Sequence, residues 1–385
     1  MGNQILGVGL TGRELTELER VILRESPPYA VVLFGRNIEA VDQLRSLVEE
    51  IKSQSETPPV LMIDQEGGRV DRLRDLIPGM PSAESFGEGS DGVELAGWFG
   101  RITGRALRYF GIDVNLAPVV DIRRDEPVQG LERRCFGANP REVVELAGAF
   151  MRGQQSAGVA SCLKHFPGLG MGSGDSHYGA SIVDLPLERI LNEDLVPYME
   201  LGNLAGAVMI GHAVYPQIAD ADVPASLNRA IATGLLRETA GFTGLAVSDD
   251  MEMHAVADLG SYEDICARAL EAGNDVILLC SHVEMVPNLM ADLEKRAAER
   301  PETGARFREA VGRAEHYREH CAAIHESATI QTGSFDEILA EVEEFCEVFR
   351  DTRPKNPDGS GTPPTERRHV PRTSGTGRTG REEWT

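Results

Sequence analysis

The sequence predicts a single (β/α)8 barrel, the TIM-type α/β fold, followed by C-terminal helices. Three observations support this prediction. Short apolar runs alternate with segments of helix length, a pattern typical of parallel strands joined by right-handed crossovers. Eight such runs are present, which is the number that closes this barrel. The chain of 385 residues is also long enough for one barrel of about 250 residues with additions.

The eight predicted strands are short and mostly apolar, as strands buried on both faces are. They cover residues 6–10, 30–34, 60–63, 114–117, 161–165, 206–210, 245–248 and 275–279. An open, doubly wound sheet is the alternative architecture. The closed barrel is favoured because polar groups follow several of these strands, and closure brings all the strand ends to one rim.

The character of the chain changes after the last predicted strand. Residues 283–325 have the composition of a helix, and residues 334–346 show helical apolar spacing behind a serine cap. We expect residues 1–330 to form the barrel domain and residues 331–352 to form a helix that packs on it. Residues 353–385 are rich in Pro, Gly, Ser, Thr and Arg, which predicts a disordered tail.

The composition limits the classes of partner. The net charge of −23 opposes binding to nucleic acid or to an anionic membrane surface. No basic and apolar leader opens the chain, and no apolar run approaches membrane-spanning length. Six cysteines without CxxC spacing indicate reduced thiols and no zinc site. We therefore expect a cytoplasmic protein without a nucleic-acid or membrane partner, and the composition leaves its oligomeric state open.

Ionisable side chains follow three of the predicted strands without a spacer. Asp64 follows the third strand, and Asp249 follows the seventh. The fifth strand ends in Lys164 and His165, before a glycine-rich segment that cannot continue as regular structure. Because the carboxyl ends of parallel strands share one rim, we expect these groups to contribute to one site.

Seven short motifs, in order between about residues 5 and 280, make the chain resemble the family-3 glycoside hydrolases, specifically the single-domain β-N-acetylhexosaminidases. They are DQEGGRV (64–70), NLAPVVD (115–121), RCFG (134–137), KHFPG (164–168), DSH (175–177), VMIGH (208–212) and SDD (248–250). The resemblance implies a barrel enzyme that removes terminal β-linked N-acetylglucosamine with retention and without a metal or cofactor. It also implies muropeptides from cell-wall turnover as substrate.

The resemblance also implies roles for individual residues. Asp249, the first acid after an apolar strand, is the expected nucleophile that forms a glycosyl-enzyme. His177 is the expected acid/base, and Asp175 fixes its ring and stabilises its protonated form. A histidine titrates near neutrality, so it can give a proton to the leaving group and later take one from water. The expected sugar-binding residues are Asp64, Arg72, Arg134, Lys164 and His165.

Three alternative functions remain open at this point. A phosphorylase would use the same Asp and His, with phosphate in place of water. A metal-dependent barrel hydrolase would draw on the strand-end histidines and acids, although the sequence has no His-x-His pair; its candidate ligands are His165, Asp175, His177, His212 and Asp249. A sugar-binding protein without catalysis would lack an essential group, and none is missing.

Overall fold

Eleven strands occur in the computed structural model, which describes residues 5–88, 90–125, 130–170, 179–220 and 222–352. They are β1 (Leu6–Gly9), β2 (Ala30–Leu33), β3 (Val60–Ile63), β4 (Gln65–Gly67), β5 (Val70–Asp71), β6 (Val114–Asn115), β7 (Ala160–Ser161), β8 (Leu163–Phe166), β9 (Ala207–Ile210), β10 (Leu245–Asp250) and β11 (Val276–Leu279). Strands β4 and β5 form a separate antiparallel hairpin, and the other nine form one parallel sheet.

The parallel sheet closes at Cys162. Strands β7 and β8 are two segments of one extended stretch that this residue interrupts. Strand β7 pairs with β6 on one side, whereas β8 pairs with β9 on the other. The Cys162 N–H approaches the carbonyl oxygens of Asn115 and Ala117, at 3.1 Å each. The nine segments therefore occupy eight positions around a (β/α)8 barrel, which confirms the predicted fold and places all eight predicted strands.

Helices follow the strands and cover the outside of the barrel. They are α1 (Glu17–Glu25), α2 (Val41–Ser53), α3 (Gly92–Tyr109), α4 (Pro140–Ser156), α5 (Leu187–Arg189), α6 (Val196–Ala205), α7 (His254–Ala257), α8 (Tyr262–Ala272), α9 (Val286–Glu299), α10 (Pro301–Glu326) and α11 (Phe335–Asp351). Two π-helical segments, Ile190–Asp194 and Ala230–Thr239, complete crossovers. Within the described ranges, no helix has both the length and the apolar character that a membrane span requires.

The helix predicted over residues 283–325 is two helices in the structure. Helix α9 ends at Glu299, and Arg300 adopts an extended conformation before α10. Pro301 explains the break, because proline disfavours helical backbone in the residue before it and lacks the N–H that would continue the ladder. The same residue is well suited to the first position of α10.

Successive side chains along each strand point alternately into the barrel and outwards, towards the helices. Val32 and Met62 belong to the interior cluster, whereas their neighbours Val31 and Leu61 pack beneath the helices. Tyr317 of α10 also joins the interior cluster. Helix α10 therefore closes the amino-terminal end of the barrel, and the carboxyl ends of the strands remain for a site.

Helix α11 packs on α3. Ser334 caps the first turn of this helix by accepting a hydrogen bond from the Glu337 N–H, which confirms the predicted serine cap. The Glu341 carboxylate accepts hydrogen bonds from Trp98 Nε1 at 2.9 Å and from Arg101 Nε at 3.0 Å. Phe345 packs edge-on against Trp98. The predicted tail, residues 353–385, lies outside the described residues, so its disorder stays a prediction.

Candidate active site

A buried ion-pair network joins the ends of β3 and β8. Lys164 Nζ lies 2.5 Å from Asp64 Oδ1 and 2.6 Å from Glu66 Oε1. Glu66 also accepts hydrogen bonds from Arg134 Nε and Nη2, both at 2.8 Å. The Lys164 and Glu66 side chains are only 3% and 5% exposed. Three of the predicted sugar-binding residues, Asp64, Lys164 and Arg134, are therefore brought together and fixed in orientation.

The charges of this network stabilise one another. Burial alone would raise the pKa of Glu66, but the Arg134 guanidinium and the Lys164 ammonium hold this pKa far below its usual range. Burial would likewise lower the pKa of Lys164, but the Asp64 and Glu66 carboxylates outweigh it and raise that pKa. Glu66, Lys164 and Arg134 are thus held in their charged forms, so the network presents fixed charges to the site.

Glu66 was not assigned a role from the sequence. Asp64 and Glu66 are two residues apart where β3 leads into the β4–β5 hairpin, and both contact Lys164. Spacing of this kind in extended chain directs alternate side chains to the same side. The sequence signal for Glu66 was therefore its position two residues after Asp64, which places both carboxylates on the same side of an extended chain.

Arg72 lies on the hairpin beside Asp64. Its Nη2 is 4.0 Å from Asp64 Oδ2, and its guanidinium lies over the Phe34 ring, 5.6 Å from the centroid. The Gln65 side chain fixes this turn by accepting hydrogen bonds from the Arg72 and Leu73 N–H groups. The Arg72 Nε is buried and has no hydrogen-bond partner among the described residues. Arg72 therefore lies beside the network with one buried donor left unpaired among the described residues.

The structure distinguishes Arg134 from its neighbour Arg133. Arg134 is mostly buried and makes the paired contact with Glu66. Arg133 is exposed and has a left-handed backbone conformation with φ of 63°. The conformation of Arg133 turns the two neighbouring side chains to different surroundings. The position next to the network belongs to Arg134.

Asp121 orients His165. The Asp121 carboxylate is fully buried, and its Oδ2 lies 2.8 Å from His165 Nδ1. Its Oδ1 accepts a hydrogen bond from the Leu169 N–H at 2.6 Å. One side chain therefore fixes the imidazole ring and the first residues after β8. Asp121 ends one of the seven motifs, but its contact with a residue 44 positions away leaves no local signal in the sequence.

Asp249 stands at the end of β10 with few partners. Its carboxylate is only partly buried, and among the described residues its hydrogen bond comes from the Asp250 N–H at 2.9 Å. Burial would raise the pKa of Asp249, but His212 and His165, that hydrogen bond and the Lys164 ammonium together lower it. Asp249 is thus an ionised carboxylate with lone pairs left for a further contact.

The neighbouring acid, Asp250, differs from Asp249 in its contacts. Its Oδ1 accepts hydrogen bonds from the Glu252 N–H at 3.1 Å and the Cys280 N–H at 3.2 Å. Burial, together with the charges of Glu252 and Asp249, raises the pKa of Asp250 to about 6. Asp250 therefore orders the loop after β10 and leaves Asp249 as the freer carboxylate.

The family is decided by comparison with known proteins. Residues 11–315 match the model of the glycosyl hydrolase family 3 N terminal domain. The chain belongs to glycoside hydrolase family 3. It is 37% identical over 293 residues to a protein named beta-hexosaminidase from Thioalkalivibrio sulfidiphilus, an alignment that covers 74% of this chain and 83% of the relative.

Solved structures of family 3 share the architecture. NagZ from Neisseria gonorrhoeae, in complex with N-trifluoroacetyl-D-glucosamine, aligns with a TM-score of 0.74 and 28% identity over 90% of this chain and 98% of that one. A fungal multi-domain family-3 beta-N-acetylglucosaminidase aligns with a TM-score of 0.77 and 26% identity over 89% of this chain. This chain spans 42% of the length of the fungal protein.

His212 supports the wall of this family-3 site. Its Nε2 lies 2.9 Å from the Asp250 carbonyl oxygen, and its Nδ1 lies 2.7 Å from the Ser226 hydroxyl. The Nε2–H donates to the carbonyl, and the hydroxyl then donates to Nδ1. Both ring nitrogens are therefore engaged within the protein, and His212 holds the backbone that carries Asp249 and Asp250.

Two predicted catalytic residues, Asp175 and His177, lie within residues 171–178, outside the described residues. Their roles stay predictions. The described chain leads into this segment at Gly170 and leaves it at Gly179. In the part of the chain that the structure describes, no group of three or more His, Cys, Asp or Glu side chains is arranged to hold a metal ion.

Proposed function

We propose that this family-3 glycoside hydrolase is a retaining exo-β-N-acetylglucosaminidase that acts through a glycosyl-Asp249 intermediate. The observation that carries the proposal is the Asp249 carboxylate, which is ionised and sparsely hydrogen-bonded at the end of β10. It shares the rim with the network of Asp64, Lys164 and Arg134. Relatives named beta-hexosaminidase and a relative solved with an N-acylglucosamine support the choice of sugar.

The network and its neighbours suit the recognition of a sugar. Carboxylates accept hydrogen bonds from sugar hydroxyls, while ammonium and guanidinium groups donate to hydroxyl and amide oxygens. Asp64 is the proposed acceptor for hydroxyls of the terminal sugar. Lys164, His165, Arg72 and Arg134 are the proposed donors to the hydroxyls and the acetamido group. Because these groups are already oriented by ion pairs, little reorganisation accompanies binding.

The proposed reaction has two steps. Asp249 attacks the anomeric carbon while the glycosidic oxygen leaves and takes a proton from His177. Water then attacks the same carbon, gives a proton to His177 and displaces Asp249. Two inversions at the anomeric carbon give net retention, and both catalytic groups return to their starting states. Asp175 is the proposed partner that stabilises the protonated His177.

Cell-wall fragments are the proposed natural substrates, and the cytoplasm is the proposed location. The first proposal is supported by the likeness to single-domain β-N-acetylhexosaminidases of family 3. The second is supported by the six cysteines, all of which are free thiols. We expect purified muropeptides with a terminal β-linked N-acetylglucosamine to be cleaved at that linkage alone.

The experiment that tests the proposed function follows the products by NMR during cleavage of an aryl β-N-acetylglucosaminide. Wild type and Asp249→Asn are compared with and without phosphate. The proposal predicts β-configured free sugar as the first product, unaffected by phosphate and lost in the variant. Formation of a sugar 1-phosphate would identify a phosphorylase. Absence of turnover by the wild-type protein would favour the sugar-binding alternative.

A further inference from the structure

Strand β10 contains a β-bulge at the proposed nucleophile. The pairing of β10 with β9 is regular up to Ser248. Its pairing with β11, in contrast, shifts by one residue between Val247 and Asp250. Ser248 and Asp249 together therefore lie opposite a single residue of β11, Ile277.

The position of this bulge agrees with a role in the site. The extra residue of a bulge is left out of the ladder and the strand bends there, so that a bulge beside an active site changes the direction of a side chain. Strand β8 also has a register shift, against β9, in the stretch that contains Lys164 and His165. Within the described residues, both register shifts of the parallel sheet therefore fall on proposed site residues.

The Ser248 side chain holds the bulge against β11. Its hydroxyl oxygen accepts a hydrogen bond from the Leu278 N–H at 3.0 Å. The Leu278 carbonyl oxygen accepts a hydrogen bond from the Met251 N–H, also at 3.0 Å. Ser248 and Leu278 are both buried, so bulk water does not compete for the contact between them. One residue of β11 thus binds β10 on both sides of Asp249.

The position of the Asp249 carboxylate depends on the backbone around it. Its hydrogen bond among the described residues comes from the Asp250 N–H, within the bulged strand itself. After Asp249, the chain is held by Asp250, whose carboxylate accepts from the Cys280 N–H and whose carbonyl oxygen contacts His212. Before Asp249, the side chain that holds the bulge is that of Ser248. The two sets of contacts together fix the strand at the nucleophile.

We propose that Ser248 is a positioning residue for the nucleophile: its hydroxyl fixes the bulge of β10 and thereby the direction in which the Asp249 carboxylate faces the substrate. The inference rests on the proposed function, in which Asp249 attacks the anomeric carbon. Ser248 is fully buried and acts through Asp249. Without the hydroxyl, the buried Leu278 N–H loses this acceptor. The bulge is then free to move towards the regular register, which turns side chains to the other face of the strand.

The test compares Ser248→Ala, which removes the hydroxyl, and Ser248→Thr, which keeps it, with wild type. Ser161→Ala is the matched control, because Ser161 is an equally buried strand serine whose hydroxyl accepts from Gln154 Nε2 at 2.9 Å. kcat/KM is measured with a dinitrophenyl and a phenyl β-N-acetylglucosaminide, whose leaving groups differ in their need for a proton. The inhibition constant of N-acetylglucosamine measures sugar binding. Hydrogen exchange of a peptide that covers residues 276–281 and thermal unfolding are measured on the same proteins.

We expect Ser248→Ala to lower kcat/KM about 10- to 100-fold for both glycosides alike, since a small misplacement of the attacking group has effects of this size whatever the leaving group. The inhibition constant of N-acetylglucosamine should change by less than about threefold, because the network that binds the sugar is intact. Ser248→Thr should recover kcat/KM to within about fivefold of wild type, because it retains the acceptor. Exchange of the peptide should be faster in Ser248→Ala, and Ser161→Ala should match wild type in kinetics and in this exchange.

Unchanged kcat/KM in Ser248→Ala, or an equal loss in Ser248→Thr or Ser161→Ala, would overturn the proposal. A loss confined to the phenyl glycoside would place the defect in proton donation, and a matching loss of inhibitor binding would place it in the whole site; both results contradict the proposal. A wild-type protein that cleaves neither glycoside would defeat the proposed function instead. In that case the exchange of residues 276–281 decides whether Ser248 holds the bulge, and unchanged exchange in Ser248→Ala would refute it.

Discussion

The two halves of the rim are built differently. On the β3 and β8 side, Lys164, Glu66 and Arg134 form a buried network in which each charge has an opposite charge within 3 Å. On the β10 side, Asp249 is partly exposed and accepts one hydrogen bond from the backbone among the described residues. The difference matches the two tasks of a glycosidase. A sugar is held by groups fixed in advance, whereas a nucleophile needs a lone pair left free.

The comparison predicts the largest loss of activity at Asp249. Asp249→Asn removes the nucleophile and should lower kcat for an aryl β-N-acetylglucosaminide by at least about 10³-fold, as removal of a catalytic nucleophile commonly does. The matched control is Asp250→Asn, which keeps the side-chain oxygen that accepts from Glu252 and Cys280. The control should retain activity within about tenfold. Equal losses in the two variants would contradict the assignment.

Substitutions in the buried network of Lys164, Glu66 and Arg134 should have their largest effect on the stability of the fold. Glu66→Gln leaves Lys164 and Arg134 buried with one carboxylate fewer, and should lower the free energy of unfolding by about 3 kcal/mol. The control is Glu132→Gln, which breaks the exposed pair with Arg69 and should change the free energy by less than about 1 kcal/mol. Urea denaturation measures both. A small effect at Glu66 would mean that the network is not held by its charges.

The stability difference between wild type and Glu66→Gln should depend on pH. The pKa of Glu66 is lowered in the folded protein, so its stabilising contribution is fully present above the ordinary glutamate value of 4.5. The contribution is lost as the pH falls below that value, because the unfolded chain then binds the proton first. The difference in stability between wild type and Glu66→Gln should therefore be constant from neutral pH to about 5 and shrink at lower pH. A difference that grows on acidification would contradict the account.

A smaller effect on catalysis is expected at Asp121, which joins the two halves through His165. Asp121→Asn keeps the size of the side chain but weakens its hold on the imidazole, and should lower kcat/KM about 10- to 100-fold. Asp113→Asn is the control, because Asp113 precedes β6 at the opposite end of the barrel and pairs with Lys52. Steady-state kinetics on one aryl glycoside separates them. Unchanged activity in Asp121→Asn would mean that His165 is oriented by other contacts.

The smallest effect should come from helix α11. Glu341→Gln weakens the contacts with Trp98 and Arg101 of α3, and should lower the free energy of unfolding by about 1 to 2 kcal/mol. kcat/KM should stay at the wild-type value, since Glu341 contacts neither half of the rim. Thermal unfolding and kinetics are measured on the same preparation. A loss of activity without a loss of stability would show that α11 is coupled to the site.

The barrel could be predicted from the sequence because buried parallel strands leave a local signal, a short apolar run with turn residues at its ends. The break between α9 and α10 also has a local signal, which is Pro301. The roles of Glu66 and Asp121, in contrast, depend on contacts with residues far away in the sequence. Asp121 acts on a residue 44 positions away, and the network joins Lys164 to a residue 100 positions away. Contacts of this kind are set by the register of the closed barrel.

The choice between Arg133 and Arg134 shows the same limit at short range. The two side chains are chemically identical, and only the left-handed conformation of Arg133 separates their surroundings. The sequence placed Asp64, Lys164, His165 and Asp249 at strand ends, and the structure brings them to one rim. Asp175 and His177 stay predictions, since they lie outside the described residues.

The most direct test of the central claim is to trap the intermediate. Wild type is treated with a 5-fluoro β-N-acetylglucosaminyl fluoride, which forms a glycosyl-enzyme and releases it slowly, and the digested protein is sequenced by mass spectrometry. We expect one sugar per chain, attached to Asp249. A sugar attached to Asp250 or Asp64, or turnover of the reagent without any labelled peptide, would contradict the assignment of the free carboxylate of β10 as the nucleophile.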